Sequence, residues 1–303
     1  MIVDCYTHTW ESPSQLGRCA PADRRPTGPG VDSGAASISR HLAAAEPVDY
    51  SFVLGFRSHY LGAHIPNEQV AAYVKRHPGR LLGFAGVDPS QPKEAIAELQ
   101  RARDELGMVG LSVAPAAQDF HPSNTHAMTV YAEAAQRGMP VLFHTGVHVG
   151  PATKLSYAQP VLLDEVAREF PELKMVVAHM GYPWVTETIA LLEKHCNVYA
   201  EISWLLDRPW PAYHAFLAAY HAEVMDRLLF GSGFPNAPAS ACIEALYSIN
   251  HICQGTNLPA IPREQLRGIV ERDALALLGI AAPTGPPRRA KPEPVPVEDA
   301  EEV

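Results

Sequence analysis

Gly138-Met139-Pro140-Val141-Leu142-Phe143-His144-Thr145-Gly146 is an apolar run of strand length that closes on a histidine. One helix-length further on, Lys174-Met175-Val176-Val177-Ala178-His179-Met180-Gly181 repeats the plan. Runs that are apolar throughout, rather than alternating, suit strands covered on both faces, which is the condition of a parallel sheet. Working outward from this pair, comparable runs fall at 1–7, 50–55, 81–87, 108–113, 140–144, 174–179, 197–203 and 227–231. Helical periodicity fills most of the intervals, at 67–77, 92–106, 126–138, 159–169, 183–195 and 210–224, with a last helix near 263–278. Parallel neighbours need long crossovers, so these units predict an α/β fold, a single (β/α)8 TIM barrel over residues 1–280. No GxGxxG follows the first run, which counts against an open dinucleotide-binding sheet.

Two stretches stand outside this alternation. Residues 11–37 gather Pro, Gly, Ser and Arg and read as a long loop of the kind that covers active sites. Residues 281–303 hold six prolines, end in acidic residues and have no apolar period, so a disordered Pro-rich acidic tail is expected.

Composition narrows the function classes. The chain has 303 residues, 47 % of them apolar, which is ample for a packed core. Its 24 basic and 33 acidic residues leave a formal charge of −9, which argues against nucleic acid and anionic membranes as partners. No apolar run approaches the ~18 residues of a membrane span. Met1-Ile2-Val3-Asp4 enters a strand pattern with no basic or apolar leader, so no signal peptide is expected and the expected location is cytoplasmic. Cys5, Cys19, Cys196, Cys242 and Cys253 are odd in number and form no CxxC, against a disulfide framework or a thiolate zinc site.

Chemistry in such a barrel gathers where the strands end at their C-termini. Three of those ends carry histidine, namely His8, His144 and His179. Three imidazoles with an open fourth position suit catalytic zinc. A single strand-end histidine is more often structural, and the chain has 14, so the weight rests on the three together. Asp4, Tyr6 and His8 are spaced two apart and are expected on one strand face, with Cys5 facing outward. Glu201, ending the seventh run, is a candidate base or fourth ligand, set against a solvated or salt-bridged carboxylate. Tyr6 on the first run, Arg57 and His148 in loops, and Trp184 and Trp204 after the sixth and seventh runs are candidate pocket residues. Ser203 has no histidine at triad spacing and is not proposed as a nucleophile.

The chain resembles the amidohydrolase-related metal-dependent hydrolases, in the branch of aminocarboxymuconate semialdehyde decarboxylase and related carboxy-lyases. The resemblance runs from Met1 to about Ile280. Its motifs are Ile65-Pro66-Asn67-Glu68, His77-Pro78-Gly79-Arg80, Gly83-Phe84-Ala85-Gly86-Val87-Asp88-Pro89, the His144 and His179 runs, and Phe230-Gly231-Ser232. It implies a divalent metal, zinc first, held by His8 and His144. It also implies His179 as an acid–base or second-metal residue, a small-molecule substrate, and homodimers. Two positions depart from it. Tyr6 stands at the first histidine of the family's D-x-H-x-H, and Gly233 stands at the aspartate of its G-S-D-x-P. The resemblance therefore implies hydrolysis or decarboxylation of a small carboxylate or cyclic ester through a remodelled histidine site. Two alternatives stay open: metal-free acid–base catalysis, and a pseudoenzyme that binds a small acid or a protein partner.

Overall fold

The computed structural model describes residues 1–19, 36–146 and 150–283, so His148, most of the 11–37 loop and the tail from 284 lie outside the described residues. Eight strands run parallel in the order β1 (Val3–Thr7), β2 (Tyr50–Leu54), β5 (Leu81–Gly86), β6 (Gly110–Val113), β7 (Val141–Phe143), β8 (Met175–Val177), β9 (Val198–Glu201) and β10 (Leu228–Leu229). β3 (Phe56–Ser58) and β4 (Ala63–Ile65) form a separate antiparallel hairpin on the rim. Backbone bonds Cys5 N–H to Phe230 O (2.9 Å), Gly233 N–H to Tyr6 O (3.0 Å) and His8 N–H to Phe234 O (3.0 Å) join the last strand's extension to the first. The ring is thereby closed, as the TIM-barrel expectation requires.

Apolar residues alternate between two buried layers. Phe52, Leu54, Leu82, Phe84, Leu142, Val176, Tyr199 and Leu229 fill the barrel. Val53, Ala85, Val87, Leu111, Val113, Val141, Phe143, Met175 and Val177 face the helices. The helix Pro92–Asp104 shows how the outer ring is specified. Proline fits its first turn, and Ala95, Leu99 and Ala102, at helical spacing, are its buried face. At the N-terminal mouth, Ala274, Leu275, Leu278 and Ile280 pack into the inner cluster with Val3 and Cys5.

β1 departs from the expected alternation. Asp4 pairs with Ser51 but Thr7 pairs with Val53, so β1 carries one residue more than β2 over this stretch. This bulge puts both Cys5 and Tyr6 in the inner cluster, and the expectation that Cys5 faces outward is corrected. Asp4, Tyr6 and His8 accordingly do not share one uninterrupted face. The Asp4 carboxylate instead accepts from Tyr6 N–H (3.2 Å) and Ser232 N–H (2.8 Å), binding β1 to the last strand's extension. Burial lifts that carboxyl to about 7.

The expected sixth run, 174–179, stops being strand at Val177. His179 and Met180 then take left-handed backbone, with φ of 58° and 46°. The β3–β4 hairpin and the helices Ile38–Ala44 and Ala239–Tyr247 were not anticipated. The first is built from three-residue strands too short to show a period. No helix among the described residues is long and apolar enough to cross a membrane.

His41, on the helix Ile38–Ala44, is fully buried, bonds Tyr73 Oη through Nδ1 at 2.6 Å, and packs edge-on against Phe234. Burial lowers its proton affinity to about 4, from the ordinary 6.5. Unfolded chains bind that proton below pH 6.5 and the native one does not. Stability from this residue is therefore complete above pH 6.5 and falls as pH drops toward 4, by on the order of 3 kcal/mol. Urea unfolding at pH 7 and pH 4.5 checks this. The His41→Gln variant should lose correspondingly less between the two.

Candidate active site

Tyr6 sits at the centre of an aromatic and imidazole cluster on the C-terminal rim. Its ring meets His8, His144, His179 and Trp204 edge-on, with centroids 5.3, 4.9, 4.8 and 6.2 Å away. The β1 bulge aims Tyr6 inward. His144 follows β7 directly, its backbone N–H bonded to Val113 O at 2.8 Å. His179 is the first left-handed residue after β8, and Glu201 is the last residue of β9.

Hydrogen bonds assign the tautomers of one group. His8 Nδ1–H donates to Leu54 O at 3.0 Å, so His8 Nε2 is an acceptor. It faces His144 Nε2 at 3.2 Å, which therefore carries its ring's proton. The Tyr6 hydroxyl lies 3.0 Å from His144 Nδ1 and closer still to Nε2, over the same edge of the ring. The result is a hydrogen-bonded chain from His144 through His8 to a backbone carbonyl, with the Tyr6 hydroxyl packed against the first ring. Burial lowers His8 to about 4 and His144 well below its ordinary range, so both rings are neutral at pH 7.

A second group holds His179. Glu201 is fully buried, and its carboxylate accepts from His179 N–H (2.7 Å), Ser203 N–H (2.7 Å) and Ser203 Oγ–H (2.8 Å). His179 Nδ1 lies 2.8 Å from Ser203 Oγ and 3.3 Å from Glu201 Oε1. Trp204 stacks on His179 at 4.8 Å and 7°. It is pinned by its indole N–H, which donates to Gly233 O at 2.9 Å. Left-handed backbone at His179, Met180 and Trp204 concentrates strain around this group.

Of the residues singled out from sequence, the fold brings together Tyr6, His8, His144, His179, Glu201, Trp204 and Gly233. Arg57 stands apart from this cluster. It lies on the β3–β4 hairpin, 2.5 Å from Glu94, beside a separate cavity of about 260 Å³ also lined by His59, His64, Glu98 and Arg101. Arg57→Ala is expected to change stability by less than about 1 kcal/mol, since its partner is half exposed, and to leave the rim cluster intact. Thermal melts and ligand titration test both halves. Trp184 caps the helix Val185–Lys194, and no ring contact links it to Tyr6 among the described residues. Ser203 was set aside as a nucleophile and is instead the bridge between Glu201 and His179. The Glu201-x-Ser203 spacing was the signal available for it.

These features define an α/β barrel with a histidine-rich rim site. The amidohydrolase family model matches residues 3–280, and the chain belongs to that family. Among solved structures, it is similar to an uncharacterized TIM-barrel protein from Bordetella bronchiseptica, with 24 % identity, 92 % of this chain and 99 % of that one covered, and TM-score 0.68. A probable 2-pyrone-4,6-dicarboxylic acid hydrolase from Acinetobacter baumannii, with citric acid bound, matches at 15 % identity, 92 % and 99 % coverage, and TM-score 0.65. A dihydroxybenzoic acid decarboxylase from Polaromonas sp., with bound manganese and 2-nitroresorcinol, matches at 16 % identity, 92 % and 96 % coverage, and TM-score 0.65.

The manganese of that relative raises the question of fit here. The residues present do not fit such an ion as they are arranged. Among the described residues, no three His, Cys, Asp or Glu side chains converge to hold one. The facing nitrogens of His8 and His144 share a proton, and His179 Nδ1 is turned to Ser203. Both oxygens of Glu201 are taken by protein donors.

Proposed function

We propose that the chain is a carboxy-lyase of small conjugated carboxylates, with His179 as its acid–base group and Glu201 as the residue that positions it. The buried Glu201–Ser203–His179 chain at the barrel mouth carries this reading. With Nδ1 engaged by Ser203, Nε2 is the proton-transfer atom. Glu201 fixes the ring and compensates charge that develops on it, the role a buried carboxylate plays behind a catalytic histidine.

Trp204, half-buried beside His179, offers a flat apolar surface suited to a planar substrate. The doubly protonated His179 ring, its Nδ1–H held by Ser203, delivers its Nε2 proton to the carbon that bears the carboxylate. The bond from that carbon to the carboxylate then breaks, its electron pair restores the conjugated system, and CO2 leaves. Water returns the proton to His179. Charge concentrated on the carboxylate is dispersed along the way, which a site walled by neutral rings favours. The zinc expected from three histidines has no step in this reading. Support also comes from the family and from the relatives named as decarboxylase and hydrolase of small carboxylates.

The test is CO2 release from a panel of ortho-hydroxybenzoates and conjugated dicarboxylates. His179→Gln is expected to lower kcat by about 10²–10⁴ while circular dichroism stays unchanged. Wild-type rates in that variant would sink the assignment. Tight binding of a panel member with no turnover would make the chain a binding protein.

A further inference from the structure

We infer that the Tyr6 hydroxyl and the Trp204 indole exclude a metal ion from this barrel, and that a hydrogen bond stands where an ion would otherwise link His8 and His144. The spacing of the two imidazoles does not decide the matter. Nitrogens about 2.0–2.1 Å from one tetrahedral ion lie roughly 3.3 Å apart, close to the 3.2 Å between His8 Nε2 and His144 Nε2. The surroundings of that pair decide it. The Tyr6 hydroxyl lies against His144 Nε2, so hydroxyl and ion would compete for one position.

The second closure is at the end of the last strand. A Cβ built on Gly233 would stand 2.0 Å from Trp204 Cδ1 and 2.2 Å from Trp204 Nε1. The indole fills the niche from which a residue 233 carboxylate would reach the rim. It cannot swing aside freely, because the His179 stack and the bond to Gly233 O hold it from two sides. Gly233 itself has φ +75°, where side chains are strained even with space to enter. One change at 233 therefore cannot supply a carboxylate ligand. Tyr6 must yield to an imidazole and Trp204 to a small residue.

This inference does not depend on the reaction proposed above, because its readout is metal content. The protein is purified from cultures supplemented with zinc or manganese, and bound metal is measured by plasma mass spectrometry. It is then titrated with Co²⁺, whose d–d bands report tetrahedral nitrogen coordination. Less than about 0.1 equivalent and no bands are expected. Near one equivalent in the wild type, lost in His144→Ala, overturns the inference. The Tyr6→His/Trp204→Ala/Gly233→Asp variant is expected to bind about one equivalent and Gly233→Asp alone none. The Tyr6→His/Trp204→Ala variant, measured in parallel, should bind Co²⁺ at least about tenfold more tightly than the wild type. Variants that fold but bind no better than the wild type overturn the claim that these two side chains are what excludes the ion.

Discussion

Gly233→Asp is expected to lower the unfolding free energy by roughly 4 kcal/mol, combining left-handed strain with overpacking against an indole that has nowhere to go. The Cβ alone would come within 2.0 Å of the ring, before the carboxylate is placed. The bond from the indole N–H to Gly233 O and the stack on His179 are both expected to be lost. A double-mutant cycle separates the two contributions. Adding Trp204→Ala removes the clash but not the strain at φ +75°, so a favourable coupling of about 2 kcal/mol is expected. Simple additivity in urea unfolding would mean that the indole does not occupy the niche.

Glu201→Ala is expected to cost about 4 kcal/mol and to lower turnover about 10³-fold. The carboxylate accepts three hydrogen bonds in a fully buried position, two of them from backbone N–H groups that have no water to turn to. Its loss also frees the hydroxyl that holds His179 Nδ1. Glu201→Gln separates structure from charge. The amide keeps an acceptor oxygen, so it should recover part of the stability. It places an NH2 among donors, so turnover should stay low. A Glu201→Ala variant within about 1 kcal/mol of wild type would show that these bonds are replaceable.

The barrel was legible because its signals are local. An apolar run followed by a helical period can be read within one unit, and the helix Pro92–Asp104 starts where its proline says it should. The site was legible in part for the same reason: His8, His144 and His179 each end or follow a strand. The rest depends on neighbours distant in sequence or on backbone irregularity. Nothing in Asp4-Cys5-Tyr6-Thr7 announces an extra residue, yet the bulge puts both Cys5 and Tyr6 inside. Gly233 read as a lost carboxylate, whereas the fold shows Trp204 already in its place. Arg57 was singled out by its charge, and nothing in its local sequence shows that the hairpin carrying it sets it beside Glu94.

The contact of Leu275, Leu278 and Ile280 with Val3 and Cys5 also bears on how the chain is made. A ribosome delivers the first strand long before the segment that stoppers it. Until about residue 280 has emerged, the nascent barrel has an open floor, and β1 lacks the bonds it makes to Phe230 and Phe234. Non-local closures of this kind form slowly and leave apolar surface exposed meanwhile. The last turns of the fold thus act as the seal that ends the chain's exposure to aggregation.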